Sequence, residues 1–300
     1  MSAPSSIADA LPSGLLARIR SIHIRTKRLV TDALAGEYQS AFKGRGMEFE
    51  ETRAYVPGDD IRHIDWKVTA RTTEPHVKVH REERELTVML MVDVSSSGNF
   101  GTKDKTKNEV AAEIAAVLAF TAIRKNDRVG LIIFSDTVEH YIPPKKGRAH
   151  VWNVIRDILT HKAEHRATNL EEAFDFLGKV LKQRAVCFLV SDFTGFTQTD
   201  ALQIAGRKHD LTAVSIRDPR ERELPNVGLV ELEDAETGER MLVDTADADI
   251  RTLFTKYMER ERRQLDDTLK KSQVGHVRVD TSTPWIDSIA QYFRQRERGR

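Results

Sequence analysis

The sequence predicts an α/β fold with a doubly wound, mostly parallel sheet flanked by helices. Three observations carry this prediction. Short apolar runs alternate with amphipathic segments of helical period throughout residues 86–300. Two of these runs, residues 86–92 and 186–190, are almost entirely apolar, as expected for strands that are buried on both faces of a parallel sheet. Each of the two runs is followed by aspartate and serine, at the sheet edge where open α/β sheets bind their ligands.

The predicted elements follow one another along the chain. A strand at residues 87–92 precedes a helix that begins after residue 104 and ends near residue 124, where a broad apolar stripe stops. A strand at residues 128–135 is expected to pair with a short strand at 138–142 that ends at Pro143-Pro144. The remaining predictions are helices at 151–159 and 170–182, a strand at 185–190, a helix at 201–208, a strand at 211–216, a long charged helix at 251–271, a strand at 275–279 and a closing helix at 285–294. Strands that alternate with helices imply parallel strands joined by crossover helices.

Three regions are predicted. Residues 1–36 form a basic N-terminal extension, whose helical pattern fits either a helix docked on the domain or a helix on a membrane surface. Residues 37–85 carry a dense charged motif, and residues 86–300 form the α/β domain. Within that domain, alternating residues around a turn near 235–238 predict a β-hairpin insertion at about 222–245, which is either a partner surface or a plain excursion at the edge.

Composition excludes several classes of protein. The chain has 300 residues and a formal net charge of +1, which argues against a dedicated nucleic-acid binder. Its single cysteine, Cys187, lies in a predicted strand, so the chain has no disulfide framework and fits a reducing compartment. No apolar stretch is long enough to span a membrane, and residues near the N-terminus lack the core of a signal peptide. We therefore expect a cytoplasmic protein without a transmembrane segment, while its oligomeric state stays open.

Oxygen-bearing side chains are placed where a metal ion could bind. Asp93, Ser95 and Ser97 follow the first predicted strand at alternate positions, and Asp192 follows the second. Thr168 lies in a loop before a predicted helix. Hard oxygen ligands of this kind suit Mg²⁺ or Mn²⁺. Aspartate and serine also collect in turns and helix caps, so the spacing of the first three residues alone is weak support.

This constellation resembles the metal-ion-dependent adhesion site of von Willebrand factor A domains, and all five expected positions are filled. The resemblance implies that Ser95 and Ser97 bind a cation directly and that Thr168 binds it directly or through water. It assigns Asp93 and Asp192 to water-mediated contacts and leaves a sixth position for a carboxylate of a partner.

A second motif precedes the predicted domain. Pro57-Gly58 fixes a turn among charged and aromatic residues that could build a charge network or meet a partner. The candidate partner-binding residues of this motif are Arg53, Tyr55, Asp59, Asp60, Arg62, Asp65 and Trp66.

The motif resembles the bacterial family called domain of unknown function fifty-eight, which carries Arg-x-Tyr-x-Pro-Gly-Asp-Asp-x-Arg-x-Ile-Asp-Trp ahead of a von Willebrand A-like domain. Members are typically encoded beside MoxR-type AAA+ ATPases, so the resemblance implies an adaptor or co-chaperone of such an ATPase. Many relatives have methionine after the first-strand motif where this chain has Gly98-Asn99, a departure that spares every proposed ligand. Two roles of residues 53–66 stay open: a clamp within the fold, or a surface for the ATPase.

The sequence therefore predicts a non-catalytic, metal-dependent protein-binding module. One alternative is a structural scaffold whose metal site only stabilises the sheet. A less favoured alternative is a metal-dependent phosphohydrolase. The Asp-x-Asp pattern of haloacid-dehalogenase phosphatases needs a second carboxylate at the position where this chain has Ser95. The chain has neither a P-loop motif nor a Gly-x-Ser-x-Gly motif. Two histidine pairs spaced four apart, at 76 and 80 and at 161 and 165, are expected to be surface or hydrogen-bonded residues and not zinc ligands.

Overall fold

A computed structural model describes residues 32–42, 48–72, 74–81, 85–102, 105–196 and 199–298. The basic helix predicted before residue 32 lies outside this part of the chain. The chain divides into two compact units, one formed by residues 42–86 and the other by the residues before and after that segment.

The larger unit is built around a six-stranded sheet. Its strands are β3 (Thr87–Asp93), β4 (Arg128–Phe134), β5 (Val138–Lys145), β6 (Val186–Ser191), β7 (Asp210–Arg217) and β10 (Gly275–Asp280). Its helices are α1 (Asp32–Phe42, of which the last residue is assigned to the smaller unit), α3 (Lys107–Arg124), α4 (Arg148–Thr160), α5 (Leu170–Val180), α6 (Asp200–Lys208), α7 (Ala248–Lys271) and α8 (Trp285–Arg298). The strand order is β10-β7-β6-β3-β4-β5, and every pair is parallel except β4 with β5. The predicted doubly wound α/β fold is confirmed.

The two central strands are buried on both faces. Every residue of β6 is buried, as is every residue of β3 after Thr87. Burying one valine or leucine side chain stabilises the fold by about 1.5–3 kcal/mol, so these runs account for much of the sheet's stability. Since the chain crosses from β3 to β4 on one side and reaches β6 on the other, the switch point of the sheet lies between β3 and β6.

Helix α3 begins at a well-formed cap beside that switch point. The Thr106 hydroxyl accepts a hydrogen bond from the backbone N–H of Glu109, and the Glu109 carboxylate accepts one from the backbone N–H of Thr106. This capping box satisfies two backbone donors that the first turn leaves without partners. It also fixes the position of Lys107, the first residue of the helix.

The end of β5 differs from the prediction. The strand does not stop at Pro143-Pro144 but continues to Lys145, where it still pairs with Val129 of β4. Proline is tolerated there because β5 is the edge strand of the sheet.

The predicted hairpin insertion forms a separate two-stranded sheet. Its strands, β8 (Leu229–Glu233) and β9 (Arg240–Asp244), pair antiparallel with each other. Among the described residues, no helix combines the length and apolar character that crossing a membrane requires.

The smaller unit is made of short elements. These are β1 (Glu48–Ala54), a 3-10 turn (Ile61–His63), α2 (Trp66–Thr72) and β2 (His76–Arg81). Strands β1 and β2 pair antiparallel across the turn and helix between them.

Candidate metal centre

The two aspartates predicted as metal anchors are buried beside each other. Asp93 ends β3 and Asp192 follows β6, and these strands are neighbours in the sheet. Only 3% of Asp93 and 6% of Asp192 is exposed. Both line one pocket together with Ser95 and Lys107.

Asp93 is held rigidly by its own loop and by the neighbouring strand. Its Oδ1 accepts a hydrogen bond of 2.9 Å from the backbone N–H of Ser95, and its Oδ2 accepts one of 2.6 Å from the Ser191 hydroxyl. Burial, reinforced by the charge of Asp192, raises the pKa of Asp93 to about 6. The two buried carboxylates therefore repel each other, and a positive charge between them would relieve that repulsion.

The two serine hydroxyls lie at a spacing that suits a small cation. Ser95 Oγ is 3.1 Å from Ser97 Oγ, and both residues are buried. Two oxygens that bind Mg²⁺ at about 2.1 Å and at right angles to each other lie about 3.0 Å apart. The Ser97 side chain also hydrogen-bonds Asp192, so the serine loop and the end of β6 form one connected network.

A lysine that the sequence analysis did not single out reaches into this network. Lys107 Nζ lies 2.6 Å from Asp192 Oδ2 and also donates to Glu221 Oε1. Its side chain is 2% exposed. Burial opposes the charge on Lys107, but the carboxylates of Asp192 and Glu221 outweigh it and raise its pKa. Burial likewise opposes ionisation of Asp192, but Lys107 and a backbone N–H from Thr194 lower the pKa of that carboxyl.

Thr168 is linked to the site through its loop and through the hairpin. The backbone N–H of Ser96 donates to the carbonyl of Arg166 at 3.0 Å, which places the loop carrying Thr168 beside the serine loop. The Thr168 hydroxyl donates to Glu236 Oε1 at 3.0 Å. Burial raises the pKa of Glu236, and the charge of Asp192 adds to this rise while the hydrogen bond from Thr168 opposes it.

The donor set fits a hard divalent cation. The side chains of Asp93, Ser95, Ser97 and Asp192 offer oxygen atoms, and Asp192 stays ionised beside the buried ammonium group of Lys107. Among the described residues, no group of three or more His, Cys, Asp or Glu side chains is arranged to hold a metal ion. A metal ion at this place would therefore need the hydroxyl oxygens of Ser95 and Ser97 in addition to the two carboxylates.

Four further residues of the site were missed by the sequence analysis. They are Lys107, Ser191, Glu221 and Glu236. Lys107 carries one signal in the sequence, because a lysine in the first turn of a helix is opposed by the helix dipole and therefore needs an anionic partner. Ser191 directly precedes Asp192, but the position of Glu236 in an ordinary turn gives no such signal.

The histidine pairs have other partners. His161 follows α4 and its Nε2 lies 2.6 Å from Glu139 Oε2, while His165 lies 3.6 Å from Asp136. His76 bonds the carbonyl of Glu74 at 2.9 Å. As expected for surface or hydrogen-bonded residues, His161 and His76 are hydrogen-bonded and the side chain of His165 is 47% exposed, whereas the side chain of His80 lies outside the described part of the chain.

The motif of the smaller unit forms local ion pairs. Arg53 binds both carboxylate oxygens of Asp59 at 2.7 and 2.8 Å, and Arg62 binds Asp60 at 2.7 Å. The charged residues predicted as one network therefore include two short-range pairs that shape the turn at Pro57-Gly58.

The rest of the motif supports a helix and leaves an aromatic ring exposed. Asp65 accepts hydrogen bonds from the backbone of Lys67 and Val68 and lies 3.6 Å from Lys78. Trp66 is 71% exposed. The candidate partner-binding role of the motif stays a prediction.

The chain is similar to one described protein family, to a mycobacterial relative and to two solved structures. The family model described as "Protein of unknown function DUF58" matches residues 51–264. The chain is 32% identical over 290 residues to "Uncharacterized protein Rv1480" of Mycobacterium tuberculosis, covering 95% of this chain and 90% of that protein. It is similar to the crystal structure of conserved hypothetical protein BatB from Bacteroides thetaiotaomicron, with 15% identity, a TM-score of 0.46, and coverage of 71% of this chain and 99% of that one. It is also similar to the SpRpn10 VWA domain, with 10% identity, a TM-score of 0.37, and coverage of 68% and 93%. These two structural similarities concern the fold alone.

Proposed function

The chain belongs to the DUF58 family, and from the geometry of its strand-end site we propose that it is a non-catalytic protein-binding module that grips a partner through a divalent cation. The observation that carries this proposal is the pair of buried aspartates, Asp93 and Asp192, set beside two serine hydroxyls 3.1 Å apart. Ser95, Ser97 and Thr168 would hold Mg²⁺ or Mn²⁺, with Asp93 and Asp192 acting through water.

A bound cation would supply an open coordination position for a carboxylate of the partner. The hydroxyl ligands are neutral, so they quench little of the cation's charge and leave it attractive to an anion. A hydroxyl has two lone pairs and one proton, so Ser97 can bind a cation while donating to Asp192. The same holds for Thr168, which donates to Glu236.

The partner that we propose is a MoxR-type AAA+ ATPase, with this chain acting as an adaptor or co-chaperone in the cytoplasm. Support for this partner comes from the resemblance of the motif at residues 53–66 to that of a family whose members are encoded beside such ATPases. The exposed Trp66 offers a second surface to such a partner.

The test is retention of a purified MoxR-type ATPase by the full chain, in Mg²⁺ and in EDTA. We expect retention in Mg²⁺, release by EDTA, and loss of retention in the Asp192→Asn variant. Asp136→Asn is the matched control, because Asp136 also follows a strand but is 40% exposed at its side chain and lies outside the candidate site. Retention that is indifferent both to EDTA and to Asp192→Asn would contradict the metal-dependent mechanism.

A second candidate function is favoured by one observation. Lys107 already places a positive charge on Asp192, so the site could serve as a structural scaffold that stabilises the end of the sheet. In that case Mg²⁺ at 100 times its Kd would raise the free energy of unfolding by about 2.7 kcal/mol, and the melting temperature with it. Binding of a partner would not respond to chelation of the metal. The phosphohydrolase alternative gains no support from the site, because both Asp93 oxygens already accept hydrogen bonds, and the matching family is described only as a protein of unknown function.

A further inference from the structure

The hairpin insertion reaches the candidate metal centre with a carboxylate of its own. Glu236 lies in the turn between β8 and β9, and its Oε1 accepts a hydrogen bond of 3.0 Å from the hydroxyl of Thr168. The backbone of Thr168 also donates to the same carboxylate. An anionic oxygen from residue 236 is therefore fixed on a predicted metal ligand that lies 68 positions away in the sequence.

The turn that carries Glu236 is held in one conformation. Asp234 Oδ1 accepts hydrogen bonds from the backbone of Glu236 at 2.9 Å and of Thr237 at 2.8 Å. The Asp234 carbonyl accepts one from Gly238, whose φ of 74° is a left-handed conformation that suits glycine. These bonds fix the backbone of Glu236 at the place where its carboxylate meets Thr168.

The hairpin that carries this turn forms a separate sheet with a largely exposed surface. Among the described strands these two pair with each other and with no third strand, and Leu229, Met241 and Leu242 are each about two-thirds exposed, at 67%, 66% and 69%. At its base, the hydroxyl of Thr245 donates to the carbonyl of Gly228. An isolated two-stranded hairpin is marginally stable in water, so the hydrogen bond between Thr168 and Glu236 contributes to holding the hairpin on the site.

We propose that Glu236 is an internal carboxylate ligand of the metal centre, and that the hairpin closes the centre until the carboxylate of a partner replaces Glu236. This inference rests on the proposed function, since it assigns Glu236 to the position left for the partner. The proposal also assigns a role to the exposed strands of the hairpin, because a partner must displace the hairpin to reach the metal.

The test uses Mn²⁺ alone as the probe, bound to the full chain. The dissociation constant of Mn²⁺ and the relaxation of water protons by bound Mn²⁺ are measured in the wild type, in Glu236→Gln and in Glu239→Gln. Glu239 is the matched control, because it lies in the same turn and is exposed. We expect Glu236→Gln to bind Mn²⁺ about tenfold more weakly and to show stronger water relaxation, since water takes the freed position. Acetate should reduce that relaxation in Glu236→Gln and have no effect in the wild type or in Glu239→Gln.

A second measurement follows the hairpin itself. Hydrogen exchange of residues 229–244 should slow when Mg²⁺ is added to the wild type and should stay unchanged in Glu236→Gln. Wild-type binding of Mn²⁺ with identical behaviour of Glu236→Gln and Glu239→Gln would overturn the role of Glu236 and leave the metal centre standing. Absence of Mn²⁺ binding to the wild type would overturn the proposed function and this inference together.

Discussion

Replacing Lys107 with methionine removes the buried positive charge beside Asp192 while keeping an unbranched side chain of similar length. The side chain of Lys107 is 2% exposed and those of its partners Asp192 and Glu221 are 4% and 21% exposed. Breaking a buried ion pair by removing one partner costs about 3–5 kcal/mol, because the remaining charge stays buried without compensation. We expect Lys107→Met to lower the free energy of unfolding in EDTA by an amount in this range.

Urea unfolding in EDTA measures this loss, with Lys105→Met as the matched control. Lys105 also pairs with a carboxylate, Glu113, at 2.6 Å, but its side chain is 31% exposed, so we expect a cost of about 1 kcal/mol. In a double-mutant cycle, the cost of Lys107→Met should fall by at least about 2 kcal/mol when Asp192 is already asparagine. If Lys107→Met costs no more than Lys105→Met, or costs the same in the Asp192→Asn background, the electrostatic account of this site is refuted.

Three further predictions concern the rest of the chain. Gly206→Ala should lower the free energy of unfolding, because the added Cβ would lie 2.2 Å from the carbonyl oxygen of Ser272. Gly178→Ala, whose added Cβ would have nothing within 4 Å, should raise the free energy of unfolding by up to about 1 kcal/mol. Melting curves that rank the two variants the other way would contradict this packing. The pKa of His209 is lowered to about 4, first by burial and then by neighbouring cations, so its neutral form stabilises the fold above pH 6.5 and this contribution is lost as pH falls toward 4. Between pH 7 and pH 5 the wild type should therefore lose about 2 kcal/mol relative to His209→Leu, and parallel stability curves for the two proteins would exclude this role. Trp66→Ala should change the free energy of unfolding by less than about 0.5 kcal/mol because the ring is 71% exposed, and a large drop in urea unfolding would show that the ring is buried in solution.

The central sheet was predictable because burial on both faces leaves a direct trace in the sequence. The apolar runs at 86–92 and 186–190 became β3 and β6, and the aspartates after them lie at the switch point of the sheet. The alternation on either side of residues 235–238 similarly predicted the hairpin. In each case the pattern is local, so a window of a few residues contains the information.

The contacts that complete the site could not be predicted in this way. Lys107 meets Asp192 across 85 positions of the sequence, and Thr168 meets Glu236 across 68. Such pairs depend on how the crossovers bring loops together at the edge of the sheet, and no local periodicity encodes that arrangement. The candidate hydroxyl ligands Ser95 and Ser97 are different, since they alternate directly after a strand, and this spacing taken together with Thr168 and Asp192 marks them in the sequence.

Proline and short charged segments account for the remaining differences. Pro143-Pro144 predicted the end of β5, but proline ends a strand only where its missing N–H would be needed, and an edge strand has a free side. In residues 48–81 the turn at Pro57-Gly58 was predicted, but the helix after Asp65 was not, because it spans only residues 66–72 and its residues are exposed or half-buried. A helix that short has too few turns for a clear apolar stripe.

Titration of the full chain with Mn²⁺, followed by the loss of the free-ion signal in electron paramagnetic resonance, tests the central claim most directly. The account predicts one bound ion per chain, with binding abolished in Ser95→Ala and in Ser97→Ala and retained in the control Asp136→Asn. Failure of the wild type to bind Mn²⁺, or equal binding by the wild type and both serine variants, would contradict the assignment of this strand-end site as a metal centre.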